Sequence, residues 1–273
     1  MPHPLLLDAL AALLGLCVGS FLNVLIHRLP LMIEQAWAQP LDSALAAPAP
    51  SLTLAMPGSH CPACQHPLAW HDKLPLLSFV WLRGRCRHCG APISWQYPLV
   101  ELATAALFVW SLWTHGAGAA ALAWAGFASG LLALAVIDAR TTWLPDALTQ
   151  PLAWGGLIAA ACGWTGLPLA DALAGAVAGY LSLWSVYWAF RLATGKEGMG
   201  HGDFKLLAAL GAWFGWHSLL AIVLIASLSG LLVALVLMWR GLLPDNRQIA
   251  FGPFLALAGA WLLFFPAPQL LIL

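Results

Sequence analysis

The chain is predicted to be an all-α polytopic membrane protein, with about eight transmembrane helices and one small extramembrane domain between the first and second. Three observations predict this. Of its 273 residues, 62% are hydrophobic and only 8% charged, about a third of the charged fraction usual in a water-soluble domain. The apolar residues gather in runs of the length a bilayer core requires, about 20 per helix. The few basic residues fall between those runs, on one side. Formal net charge is zero, so no basic balance points to nucleic acid and no acidic one to a cationic partner. The expected surroundings are the lipid bilayer.

Span-length apolar runs lie near 5–27, 98–115, 119–138, 147–164, 169–191, 218–239 and 252–270. The opening Met1-Pro2-His3-Pro4 lacks the positive n-region of a cleaved signal peptide, and Leu5 to Ile26 exceeds a typical signal h-region. The first run is therefore read as a retained helix. Residues 206–238 are continuously apolar except around Gly215-Trp216-His217, too long for one span and short for two. Charge decides the count. If 204–216 is a short helix turning at Gly215 to His217, eight spans result. With the N-terminus outside, every Lys and Arg, from Arg28 to Arg240 and Arg247, then falls on the cytoplasmic side. Seven spans would place Arg240 and Arg247 outside, against the positive-inside rule. Eight helices with both termini periplasmic is the expectation. It divides the chain into a first helix (1–27), a cytoplasmic domain (28–97) and a seven-helix membrane core (98–273).

The cytoplasmic domain begins with an Ala/Pro-rich run, Ala46-Ala47-Pro48-Ala49-Pro50, read as a linker or irregular arm. Its second half carries Cys61-x-x-Cys64 and Cys86-x-x-Cys89. Two such knuckles present four thiolates at the spacing of a tetrahedral structural zinc site, a zinc ribbon. Pro62 and Gly90 suit the tight turns. Disulfides do not persist on the cytoplasmic side, and a redox dithiol would need only one of the pairs. Cys61, Cys64, Cys86 and Cys89 are thus the expected Zn2+ ligands, in a scaffolding role. Cys17 and Cys162, alone in apolar runs, read as small core side chains.

Most acidic residues sit at span ends or in the loop, where solvated charge is ordinary, and Asp146 could cap the helix that follows it. Asp138 and Asp203 differ. Asp138 closes the third span in Ala135-Val136-Ile137-Asp138-Ala139-Arg140, and Asp203 stands in Gly198-Met199-Gly200-His201-Gly202-Asp203 at the mouth of the short sixth helix. Parity places both at the cytoplasmic face, on different helices. Two carboxylates brought close cannot both ionise, so one acts as base while the other holds a proton. That pairing can activate water against a carbonyl. Taken singly, Asp138 is an interfacial charge balanced by Arg140, and Asp203 a cap in a glycine-rich turn. Their joint placement, with Gly198, Gly200 and Gly202 allowing close backbone approach to a substrate strand, favours catalysis.

Gly200-His201-Gly202-Asp203 is a GxGD motif, and with Asp138 the chain resembles the type IV prepilin peptidases, or leader peptidase/N-methyltransferases. Gly19-Ser20-Phe21-Leu22-Asn23-Val24, His27-Arg28-Leu29-Pro30, Tyr97-Pro98-Leu99-Val100-Glu101-Leu102, Leu144-Pro145-Asp146 and Phe251-Gly252-Pro253-Phe254 are similar to family segments in the family's order. The resemblance implies a multi-pass bacterial inner-membrane enzyme with its active site facing the cytoplasm. It implies cleavage of leaders from type IV prepilins or type II secretion pseudopilins, then methylation of the new N-terminal amine with S-adenosylmethionine. Asp138 and Asp203 match the family's catalytic pair, and the four cysteines match the tetrad of many members. No glycine-rich cofactor turn of the soluble kind marks a methyl-donor site. Asn23 and Glu101 are polar groups near the same membrane face that either line a substrate groove or tie helices together.

Two other classes compete. A proton-coupled transporter would need acids deep in its spans and repeat symmetry, and the sequence shows neither. A non-enzymatic zinc-ribbon anchor of a secretion system leaves the glycine-flanked Asp203 without a role.

Overall fold

The computed structural model describes residues 5–38, 52–242 and 249–265. Its helices in chain order are α1 (Leu5–Ala38), α2 (Leu77–Trp81), α3 (Gln96–His115), α4 (Ala119–Thr141), α5 (Asp146–Ala161), α6 (Leu169–Thr194), α7 (His201–Phe214), α8 (Leu219–Trp239) and α9 (Gly252–Phe264). Short 3₁₀ turns cover Trp70–Lys73 and Trp216–Ser218. Among the described residues the only β-type pairings are two isolated bridges, His60 with Pro67 and Arg85 with Pro92.

Four stretches among the described residues are long and apolar enough to cross a membrane: Leu5–Ala38, Ala119–Thr141, Leu169–Thr194 and Trp216–Trp239. The other expected spans are helical but shorter or more polar, α7 with 14 residues and α9 with 13. The Ala46 to Pro50 arm, Arg247 and the end of the last expected span lie outside the described residues. The first helix runs well past residue 27 and contains Pro30, so it forgoes one backbone hydrogen bond there. Cys17 and Cys162 are exposed. They are not core side chains, as the sequence suggested: on α1 the buried positions Gly15 and Gly19 face α3, which turns Cys17 outward, and Cys162 sits at the C-cap of α5.

The chain divides into two compact units, Met1–Ala125 and Gly126–Leu273. In the first, α1 packs along α3. A Cβ on Gly15 would meet Ala105 Cα at 2.6 Å, and one on Gly19 would meet Glu101 Cα at 2.7 Å. Two glycines four residues apart lie on one helix face, and here they bring the backbones into contact. In a bilayer this close approach drives helix association, because lipid is as apolar as leucine. Asn23 Nδ2 donates to Tyr97 O at 3.1 Å and accepts at Oδ1 from Gln96 Nε2 at 3.3 Å, sealing the same seam with polar contacts.

The second unit is built around α7. Phe204, Leu206, Leu207, Ala209, Leu210 and Ala212 have no exposed surface. Gly175 and Gly179 of α6 form a second pair four apart. A Cβ on Gly175 would collide with Gly211 O, and one on Gly179 would meet Leu207 O at 2.6 Å. On the α5 side, Gly156 admits the Trp213 indole, whose Nε1 donates to Leu152 O at 2.8 Å. Outward residues of α8 are apolar, Leu220, Leu224, Leu228, Leu231 and Leu232 among them. That is the surface expected of a helix solvated by acyl chains.

Candidate active site and metal centre

Asp138 lies one turn before the end of α4, and Asp203 is the third residue of α7, after the N-cap Gly200. Both are buried, 3% and 7% exposed, although each stands near the end of its helix. Asp138 and Asp203 lie near enough within the second unit for their charges to interact. Asp203 turns back toward the Gly200 amide, the arm of a capping box that joins the third helical residue to the cap. The Gly252 amide faces Asp138, yet Asp138 Oδ2 is buried with no hydrogen-bond partner. An unpartnered buried carboxylate oxygen is costly; beside a second carboxylate it marks a place where a water or a substrate oxygen would bind.

Local backbone shapes the pocket around this oxygen. Thr142, just after α4, has φ 57°, a left-handed conformation that a β-branched residue rarely takes. Such strain persists where surrounding structure over-determines it. The turn swings Leu144 between two glycines: a Cβ on Gly202 would lie 2.6 Å from Leu144 Cβ, and one on Gly252 would lie 3.0 Å from Leu144 Cδ1. The same Cβ on Gly252 would lie 2.5 Å from Asp138 Oδ2, so a side chain here would displace the Asp138 carboxylate. Gly252 was noted in the sequence only as part of Phe251-Gly252-Pro253-Phe254. Its contact with Asp138 is long-range and has no local signal.

The three alternating glycines do not serve one purpose. Gly198 packs against the Phe190 ring, where a Cβ would lie 2.8 Å from Cδ1, and Gly202 against Leu144. Gly200 alone stands open, its nearest neighbour being Asp203 Oδ2 at 3.8 Å. The loop is tethered to α6 through Glu197, whose Oε1 accepts from Tyr187 Oη at 3.5 Å and lies 3.7 Å from Arg191 Nη2. The Tyr187 ring meets His201 at a tilt and Phe204 edge-on, with centroids 5.0 and 5.7 Å away. A cavity of about 220 Å³ opens beside the loop, lined by Val186, Tyr187, Phe190, Gly198 and Met199.

Asp146 does not cap its helix. It is the first residue of α5, Pro145 holds the cap position, and no side-chain cap bond forms. Its carboxylate instead takes both of its oxygens to Lys205 Nζ, at 2.6 and 2.7 Å, joining the starts of α5 and α7. Lys205 stands two residues beyond Asp203 on α7.

In the first unit Asn23 and Glu101 are buried and engaged with their own unit. Glu101 Oε2 accepts the Leu76 amide at 2.9 Å and is bonded by Ser20. Both residues tie helices and loop together.

The four cysteines converge. Their sulfurs all lie within 4.8 Å of one another, with Cys61 to Cys89 at 3.9 Å and Cys64 to Cys86 at 4.0 Å. These spacings exceed a disulfide bond of about 2.05 Å. They match the ~3.8 Å edge of a tetrahedron whose metal–sulfur bonds are about 2.3 Å. The knuckles are equivalent turns: Cys61 N donates to His66 O and Gln65 N to Cys61 O, as Cys86 N does to Ala91 O and Gly90 N to Cys86 O. Gln65 and Gly90 hold the matching left-handed positions, φ 59° and 71°. The amides of Cys89 and His88 face the Cys86 sulfur and lower its pKa to about 6. At Cys89 the Ala91 amide pulls the other way from desolvation and the neighbouring sulfurs, which prevail and push it up to about 11. This donor set fits a metal ion that replaces the shared protons. Nearby, burial works to raise the Asp72 carboxyl, but the Arg87 guanidinium at 2.7 Å holds it below the usual range.

Among the described residues, membrane-length apolar helices, two buried carboxylates held near each other on α4 and α7, and a four-cysteine cluster define a class of helical membrane protein with an aspartate pair. Residues 125–235 match the family model described as the type IV leader peptidase family, and residues 13–115 match the bacterial peptidase A24 N-terminal domain. The prepilin leader peptidase/N-methyltransferase of Burkholderia pseudomallei (strain 1026b) is 49% identical over 97% of this chain and 87% of its own. That of Dickeya chrysanthemi is 51% identical over 91% of this chain and 89% of its own. That of Klebsiella pneumoniae is 52% identical over 82% of this chain and 92% of its own. No solved structure matches the chain. The chain belongs to the type IV leader peptidase family.

Proposed function

We propose that this protein removes the leader peptides of type IV prepilins, type II secretion pseudopilins or both, and then methylates the exposed N-terminal amine. The observation that carries the reading is the nearness of two buried carboxylates, Asp138 beside Gly252 and Asp203 beside Gly200, with Asp138 Oδ2 unpartnered. One carboxylate takes a proton from water as the water attacks the scissile carbonyl carbon. The other delivers its proton to the departing amine as the peptide bond breaks. Gly200, open beside Asp203, leaves room for an extended substrate strand along the loop holding Gly198 and Gly202. Membership of the family, and relatives printed as prepilin leader peptidase/N-methyltransferases over nearly the whole chain, support the substrate class.

In this reading eight membrane spans, the first within Leu5–Ala38 and seven within 98–273, hold the aspartate pair toward the cytoplasmic face of the inner membrane. Residues 28–97 form the cytoplasmic domain between them, and the Cys61, Cys64, Cys86 and Cys89 thiolates hold a structural zinc ion. Zinc would supply a rigid tetrahedral cross-link there, and the four residues fold the two knuckles about it. Methylation draws on S-adenosylmethionine. The apolar cavity beside Gly198 offers no partner for that donor's amino-acid or adenine groups, so no residue is assigned to it.

Incubation of purified protein with a prepilin in detergent tests the reading. Asp138→Asn and Asp203→Asn should each reduce cleavage by about a hundredfold or more, the range of a positioned proton-transfer group, with zinc content and helix content retained. Cleavage near the wild-type rate by Asp203→Asn would remove that residue from the catalytic pair.

A further inference from the structure

We propose that α2 and its flanks form a second membrane contact, an apolar and cationic surface seated on the anionic lipid interface beside α3. The outward face of this short helix is unpartnered. Leu77, Val80 and Trp81 are 67%, 74% and 72% exposed, and their spacing puts them on one side of the turn. Trp70 and Trp95 are also exposed, 77% and 70%. Such bare aromatic and aliphatic surface on a water-facing module would be unusual.

The depth of α2 identifies what covers it. The Leu76 amide, at its N-cap, donates to Glu101 Oε2 at 2.9 Å. Glu101 lies beyond Trp95, the N-cap of α3, by about 9 Å at 1.5 Å per residue. On α1 the same level is marked by Gly19, whose Cβ would meet Glu101 Cα, inside the apolar run that ends at Ile26. Even with the Glu101 side chain reaching back toward its helix N-terminus, Leu76 is held inside the level at which α3 begins. Leu76 keeps φ 56° to make this bond, a conformation costly for leucine. A loop pinned at this depth, with its apolar face outward, meets lipid.

Charge selects the lipid. Lys73, Arg83 and Arg85 flank α2, are exposed, and make no ion pair among the described residues. The one carboxylate of residues 52–95, Asp72, is taken by Arg87. Lysine and arginine beside a short apolar face with tryptophan are what an anionic membrane surface attracts. The inference rests on the proposed entry of α3 into the bilayer alongside α1 and is independent of the peptidase reading.

The test reads lipid contact rather than activity. Val80→Cys is made in full-length zinc-loaded protein with Cys17 and Cys162 replaced by Ser, labelled with an environment-sensitive fluorophore and reconstituted into vesicles. Gly58→Cys serves as the control, since nothing lies within 4 Å of a Cβ there. In phosphatidylcholine vesicles containing phosphatidylglycerol, position 80 should be quenched several-fold more by a shallow nitroxide lipid than position 58, and several-fold less by aqueous iodide. Replacing Lys73, Arg83 and Arg85 with Gln should weaken the surface contact on the order of a hundredfold and move the quenching at position 80 toward that at 58. Equal iodide quenching at both positions in these vesicles would overturn the proposal. So would protection of position 80 from both quenchers, which would show a protein covering it.

Discussion

Gln65 and Gly90 occupy equivalent left-handed positions in the two cysteine knuckles, φ 59° and 71°, but only one is glycine. Nothing lies within 4 Å of a Cβ at Gly90, so Gly90→Ala meets no clash and reports backbone strain alone, about 1 kcal/mol for an L-residue in this region. Zinc retention against a chelator should fall about fivefold in that variant, since 1.4 kcal/mol corresponds to about tenfold. Gln65→Gly should move retention the other way by less, because glycine also gains freedom in the unfolded chain. Unchanged retention in Gly90→Ala would mean the knuckles do not hold the metal in this geometry. The cysteine spacing was readable because each knuckle closes within a few residues. The strain at Gln65 was not, since glutamine gives no sign of its φ.

At the level of elements, α7 is positioned by backbone contact on one side and by charge at its start. Gly175 and Gly179 admit Gly211 and Leu207 of α7, while Lys205 grips both oxygens of Asp146. That pair is partly exposed, with side chains 31% and 54% accessible, so its worth to stability is small, about 0–1 kcal/mol. Its effect is to register the start of α7, and with it Asp203, against α5. Asp146→Asn should therefore lower prepilin cleavage only a few-fold, far less than Asp203→Asn. The charge-reversed double variant Asp146→Lys with Lys205→Asp should recover most of the loss. A swap no better than the worse of its two single variants would count against registration by this ion pair. The glycine pairs on α1 and α6 drew no reading from the sequence, and only the fold shows which helix each one meets.

For the molecule as a whole, the proposed topology joins the charge map to the chemistry. A leader with basic residues stays in the cytoplasm while the apolar helix behind the cut stays in the bilayer, so the cut falls at the cytoplasmic interface. In a background retaining the zinc cysteines but lacking Cys17 and Cys162, Thr194→Cys or Lys196→Cys should react with a water-soluble thiol reagent only from the cytoplasm. Thr165→Cys, in the turn between α5 and α6, should react only from the periplasm. Labelling of both from one side would break the eight-helix arrangement and remove the shared face on which the aspartate pair depends.

The sequence by itself determined the helical membrane class, the four-cysteine cluster and the two aspartates worth pairing. Each of these rests on local constraint. A bilayer demands long apolar runs, a knuckle demands two cysteines three residues apart, and a carboxylate among glycines at a helix start stands out against apolar surroundings. Only the tertiary structure brought Asp138 of α4 to Asp203 of α7, set Gly252 against Asp138, gave Asp146 to Lys205 instead of a helix cap, and turned Cys17 outward. It also divided the three glycines, with Gly198 and Gly202 filled by Phe190 and Leu144 and Gly200 left open beside Asp203. These outcomes depend on which helix faces pack together, and in lipid that choice is made by close backbone approach and polar contacts between helices. Hydropathy carries no record of it.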